Sequence, residues 1–91
     1  MQNAINFISE KYGKESQLRQ LQEECGELIV ACSKLIRSKD RAVNNLIEEL
    51  ADVRIMIEQI EHLYGLKSLV EDEMEYKLKR QLERMEEKNN G

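Results

Sequence analysis

The side chains of this chain best suited to chemistry are acids, and they fall in two short blocks: Glu23, Glu24 and Glu27 in EECGEL, then Glu48, Glu49 and Asp52 in EELADV. The blocks align residue for residue at a shift of 25. In each block a pair three residues apart, Glu24 with Glu27 and Glu49 with Asp52, projects from one helical face about one turn apart. Acids on a solvated helix commonly have a base three or four positions away, as Glu73 has Lys77, Glu75 has Lys79 and Glu83 has Arg80. At those offsets Glu24, Glu27, Glu49 and Asp52 meet only Gln, Asn, other acids or apolar residues. Like charges so spaced cost roughly 0.2 to 0.5 kcal/mol per pair, and more where two helices bring four together. A hard divalent cation, Mg²⁺ or its substitute Mn²⁺, would offset that cost and keep coordination positions open for water and phosphate.

Other chemistries are less well served. The single His62 has Gln59 at i−3, so the Glu-x-x-His repeat of di-iron bundles is missing and His62 reads as a surface or helix-end residue. Gly-rich phosphate loops are absent, and one His with two Cys gives little basis for nucleophilic catalysis. Cationic donors for an anionic ligand exist on the last segment, where Lys77, Arg80 and Arg84 form one stripe beside Lys79. Lys34, seven beyond Glu27, and Gln17, seven before Glu24, are further ligand-contact candidates. Glu23 has Arg19 four residues earlier and reads as half of a surface pair, which leaves Glu48 as the better proton acceptor.

Four helices must position these groups. The first fits Gln2 to Tyr12, with Ile5, Phe7 and Ile8 turned inward and Gly13 ending it in a left-handed turn. The second starts with Ser16 as N-cap and buries Leu18, Leu21, Cys25, Leu28, Cys32 and Leu35, a heptad seam widened by Ile29 and Ile36. Cys25 and Cys32 lie about 10 Å apart along one helix, beyond disulfide reach, and read as core thiols. After a polar connection, Asp40 can cap the third helix, whose seam is Val43, Leu46, Leu50, Val53, Ile57, Ile60 and Tyr64. Ile47, Ala51, Ile55, Met56 and Leu63 make that helix too apolar for a single neighbour. Gly65 stops it, and Ser68 to Glu71 is a capping box opening a fourth helix through Leu69, Val70, Met74, Leu78, Leu82 and Met85. Residues 86–91 are expected to fray.

Composition agrees with a single all-α domain over 1–91: no Pro, four Gly and few strand-forming runs. Short connections make the helices an antiparallel four-helix bundle, and a chain of 91 residues needs a second subunit to complete its core. A net charge of −4 argues against wrapping nucleic acid or lying on an anionic membrane. No apolar run approaches a membrane span and the first residues carry acids, so the expected location is the cytoplasm.

Glu24-x-x-Glu27, 21 intervening residues and Glu49-x-x-Asp52 on paired helices together resemble the MazG-type, all-α nucleoside triphosphate pyrophosphohydrolases. The likeness runs from about Gln17 to Arg84 and includes Gly26 and Ala51, the small residue inside each acid pair. It implies a MazG-like four-helix unit assembled as a homodimer or homotetramer, with Mg²⁺ on Glu24, Glu27, Glu49 and Asp52. It also implies hydrolysis of nucleoside triphosphates at the α-phosphorus to monophosphate and pyrophosphate, with Glu24 and Glu48 as catalytic candidates. Basic residues on the last helix are part of the same resemblance, matched here by EYKLKRQLER. A chain of one such unit looks like the single-domain branch, which includes nucleotide-pool housekeepers and phage-encoded forms. Base preference is not legible, since Phe7, Tyr12, Tyr64 and Tyr76 read as core or interface.

Overall fold

The computed structural model describes residues 1–38 and 42–90, the side chains of 89 and 90 excepted. It contains four helices, α1 (Gln2–Tyr12), α2 (Lys14–Ser38), α3 (Val43–Tyr64) and α4 (Lys67–Asn90), and no strand among the described residues. No described helix is long and apolar enough to cross a membrane. The Asp40 cap lies outside the described residues.

Glycines set two of the three helix ends. Gly65 adopts φ 64°, ψ 38°, the left-handed conformation that only Gly takes without strain. From there its N–H bonds the His62 carbonyl at 3.3 Å, and the Leu66 N–H bonds the Glu61 carbonyl at 2.9 Å, a Schellman closure of α3. Gly13 also has a positive φ of 82°, but with ψ 169° it is extended rather than left-handed helical, and α2 begins at the next residue. The Gly13 carbonyl therefore accepts from the Gln17 N–H, which places Ser16 inside α2 rather than at its N-cap. Similarly, the Leu66 carbonyl accepts from Val70, so α4 starts ahead of Ser68 and the expected capping box is absent. At its far end α4 continues through Glu86 to Asn90.

The core lies between α2 and α3, which pack along their lengths as an antiparallel hairpin, with α1 laid mainly on α3. In α2 the covered positions are Gln17, Leu21, Glu24, Leu28, Ala31 and Leu35; in α3 the corresponding series is Leu46, Glu49, Val53, Met56, Ile60 and Leu63, continued backwards by Ala42. Leu21, Leu28, Leu35, Leu46, Val53 and Ile60 fulfil the expected seam. The other expected row does not: Leu18, Cys25, Cys32, Val43, Leu50, Ile57 and Tyr64 are exposed, and each is replaced in the seam by the residue before it. Each helix carries an apolar band two rows wide, and the hairpin uses only one edge of it. Cys25 and Cys32 are thus free surface thiols in the single chain, not core thiols. In α1, Ile5 and Ser9 are buried while Phe7 and Ile8 are exposed.

A histidine ties α1 to the hairpin: His62, in the last turn of α3, shares a 2.7 Å hydrogen bond with the Glu10 carboxylate. Lys14 Nζ stands 4.9 Å from the centre of the Tyr64 ring at the same end of the molecule. By contrast, α4 touches α3 alone, and of its described side chains only Val70 and Arg80 escape full exposure.

Candidate metal centre

The acids converge because α2 and α3 are related by the internal repeat. Residues 25 apart occupy equivalent burial positions, Gln17 with Ala42, Glu24 with Glu49 and Ala31 with Met56. In an antiparallel pair, equivalent residues meet only where a pseudo-twofold axis crosses the seam, and here that crossing falls at the two acid blocks. Carboxylate oxygens of Glu24, Glu49 and Asp52 all lie within 4.8 Å of one another. Asp52 acts on Glu24 and Glu49 on Glu27 across the hairpin, pairings that the axis interchanges.

The register makes this arrangement costly. Glu24 and Glu49 stand in the seam rather than beside it, and each has one carboxylate oxygen, Oε2, buried without a hydrogen-bond partner. Glu24 is partly served by Gln20, whose Nε2 donates to its Oε1 at 2.8 Å. Burial pushes the Glu24 carboxyl above its ordinary range, and the charges of Glu27 and Asp52 push the same way against the Gln20 bond. For exposed Glu27 the Glu49 charge is the main cause of a like upward shift, followed by desolvation. Each effect penalises the ionised form, which a cation would favour.

The donor set fits a small hard cation. Six-coordinate Mg²⁺ at about 2.1 Å spaces its ligand oxygens roughly 3 to 4.2 Å apart, within the limit these three acids meet. Buried oxygens lacking any donor are the atoms such an ion would satisfy, and Glu27 adds a fourth carboxylate at the rim.

Beside the acids runs a groove of about 310 Å³ lined by Glu23, Gly26, Glu27, Val30, Lys34, Asn45 and Glu49. It places Lys34 next to the acid centre. A Cβ added at Gly26 would meet nothing within 4 Å, so the groove is open there. Glu48 is exposed one position from Glu49 and does not line the groove. Arg19 pairs with Glu15 at 2.9 Å rather than with Glu23, so the surface pair that set Glu23 aside is not formed. Gln17 is 4% exposed, in the seam two turns before Glu24, with its Oε1 lacking a partner. Lys77, Arg80 and Arg84 are not brought to the acids by their own chain: α4 makes no contact with α2, and Arg80 instead lies 5.5 Å from the Tyr76 ring centre.

No family model matches this chain, and no curated protein or solved structure does so either. The site therefore has to be read from its own geometry.

Two residues of the site are missed by reasoning from acids alone: Gln20, which holds Glu24, and Asn45, which lines the groove below Glu49. They are equivalent under the 25-residue shift, each four positions before a seam glutamate. The repeat that exposes the acid blocks extends to these amides.

Proposed function

We propose that this chain is a Mg²⁺-dependent nucleoside triphosphate pyrophosphohydrolase of the MazG type, cleaving (deoxy)nucleoside triphosphates to monophosphate and pyrophosphate. The reading rests on one observation: three carboxylates from two helices within 4.8 Å of one another, two of them with a buried oxygen that no protein donor satisfies. Such a centre is expensive for a fold and useful for polyanion chemistry.

Glu24, Glu27, Glu49 and Asp52 would hold the metal, which when bound neutralises the triphosphate and makes water a better nucleophile. Lys34 supplies a fixed positive charge at the groove for phosphate oxygens the metal does not take. Exposed Glu48 is placed to accept a proton from water, with exposed Glu23 the equivalent acid on the other helix. Homo-oligomeric assembly in the cytoplasm belongs to the same reading.

The test is a panel of standard and damaged nucleotides incubated with Mg²⁺, with products separated. Monophosphate and pyrophosphate are expected; orthophosphate without pyrophosphate would overturn cleavage at the α-phosphorus. A second reading, a non-enzymatic helical interaction module, is favoured by the open apolar rows of α2, α3 and α4. It leaves the seam glutamates unexplained, and saturable Mg²⁺ binding lost in Glu49→Gln would count against it.

A further inference from the structure

The chain has more surface than its mass calls for. A compact monomer of 10.7 kDa exposes about 5,500 Å², whereas this one exposes 7509 Å². Its radius of gyration of 16.7 Å likewise exceeds the roughly 12 Å of a compact domain of this length. A surplus of roughly 2,000 Å² per chain is what each copy gives up in a large obligate homodimer.

Much of the surplus is α4. Its apolar row of Met74, Leu78, Leu82 and Met85 is more than half exposed, and a helix that buries nothing is only marginally stable in water. Its charges are segregated. Residues 71–75 carry four acids, and residues 77–84 carry four cations against one acid, with Lys77, Arg80 and Arg84 bordering the apolar row. The complementary surface is the acid-bearing side of the α2–α3 hairpin, where Glu23, Glu27, Glu48 and Asp52 are exposed beside two open apolar residues, Val30 and Ile55. Within one chain these surfaces never meet, because α4 leaves α3 at the Gly65 turn and reaches neither α1 nor α2.

We infer that the acid centre and the cation stripe are halves of one site completed between two copies of this chain. The α4 helix of one copy lies along the acid-bearing side of the other's hairpin, its apolar row on Val30 and Ile55 and its stripe of Lys77, Arg80 and Arg84 facing Glu27, Glu48 and Asp52. Twofold symmetry makes the exchange reciprocal and forms two such sites. A triphosphate entering the groove would then be held by acids of one copy, through metal, and by cations of the other. That last step rests on the proposed function; the pairing of the two surfaces does not.

Two experiments separate these layers. Chains with ¹⁴N and ¹⁵N are refolded together without metal and treated with a carbodiimide, which joins a lysine amine directly to a carboxylate it touches. Cross-links from Lys77 or Lys79 to peptides holding Glu23, Glu27, Glu48 or Asp52 are expected, with about half of them pairing light with heavy. Such cross-links within one isotope only, or none in the associated protein, overturn the proposal. In the second, Glu49→Gln is refolded with the triple variant Lys77→Ala/Arg80→Ala/Arg84→Ala, each alone having lost activity. A site built between copies leaves one intact site in each mixed dimer and restores about a quarter of native turnover, whereas a site built within one chain restores none. A triple variant that keeps full turnover also overturns the proposal. If the native protein hydrolyses no nucleotide, the functional reading fails while the cross-links still decide the shared surface.

Discussion

Glu49 stands at a position where its helix would be served better by leucine, since it lies in the α2–α3 seam with Oε2 buried and unpartnered. Replacing it should separate what the fold needs from what the site needs. Glu49→Gln and Asp52→Asn are expected to leave the thermal stability of the metal-free protein unchanged or higher by some tenths of a kcal/mol per relieved pair. The same variants should lose at least about tenfold in turnover. Added Mg²⁺ should raise the melting temperature of the native protein by linkage and that of the variants much less, with Glu83→Gln on α4 as an unaffected control. A clear loss of metal-free stability with activity per folded molecule intact would make these acids structural. Titration gives a second check. Glu24 and Glu27 have carboxyl values raised above the ordinary 4.5, so the folded chain binds protons more tightly than the unfolded one. Metal-free stability should therefore fall as pH rises from 4.5 through the raised values. Melting curves in chelator should show this slope in the native protein and a flatter one in Glu24→Gln; equal slopes would mean that Glu24 is not penalised by its surroundings.

At the scale of elements, the helices were legible and their register only half so. The bounds of α1, the left-handed stop at Gly65 and the two acid blocks follow from local chemistry: Gly where φ must be positive, and acids lacking partners on their own helix. Register depends on which edge of a two-row apolar band faces the sibling helix, and heptad spacing is the same for both edges. The row containing Cys25 and Cys32 is the more apolar, yet the row containing Gln17, Glu24 and Ala31 is the one inside. Ala31, with 0% exposure, reports this choice directly. Ala31→Leu should overpack the seam and lower stability by about 1 to 3 kcal/mol in denaturant titration; a neutral result would favour the other row. The caps failed for a related reason: Ser16 and Ser68 suit N-caps locally, but Gly13 and Leu66 already supply the carbonyls on which α2 and α4 begin. How α4 sits could not be read from spacing at all, because its apolar row finds no cover within its own chain.

For the whole molecule, the open rows predict assembly. Sedimentation at micromolar concentration should show a dimer or a dimer of dimers, and a folded monomer would refute it. Cys25 and Cys32, exposed in the single chain, should react with a thiol reagent quickly in dilute protein and more slowly once the outer row is covered. The bond between Glu10 and His62 joins residues 52 apart, whereas the hairpin is built from nearby partners. Contacts of short sequence separation form first, so α2 and α3 should pair in the folding transition state with α1 still loose. His62→Ala is then expected to speed unfolding in stopped-flow measurements and leave the folding rate almost unchanged; a slowed folding limb would place α1 in the nucleus. During synthesis the order of appearance is reversed. At about 5 to 20 residues per second, α1 leaves the ribosome several seconds before α3 exists to receive it, and Phe7 and Ile8 spend that interval open to chaperones.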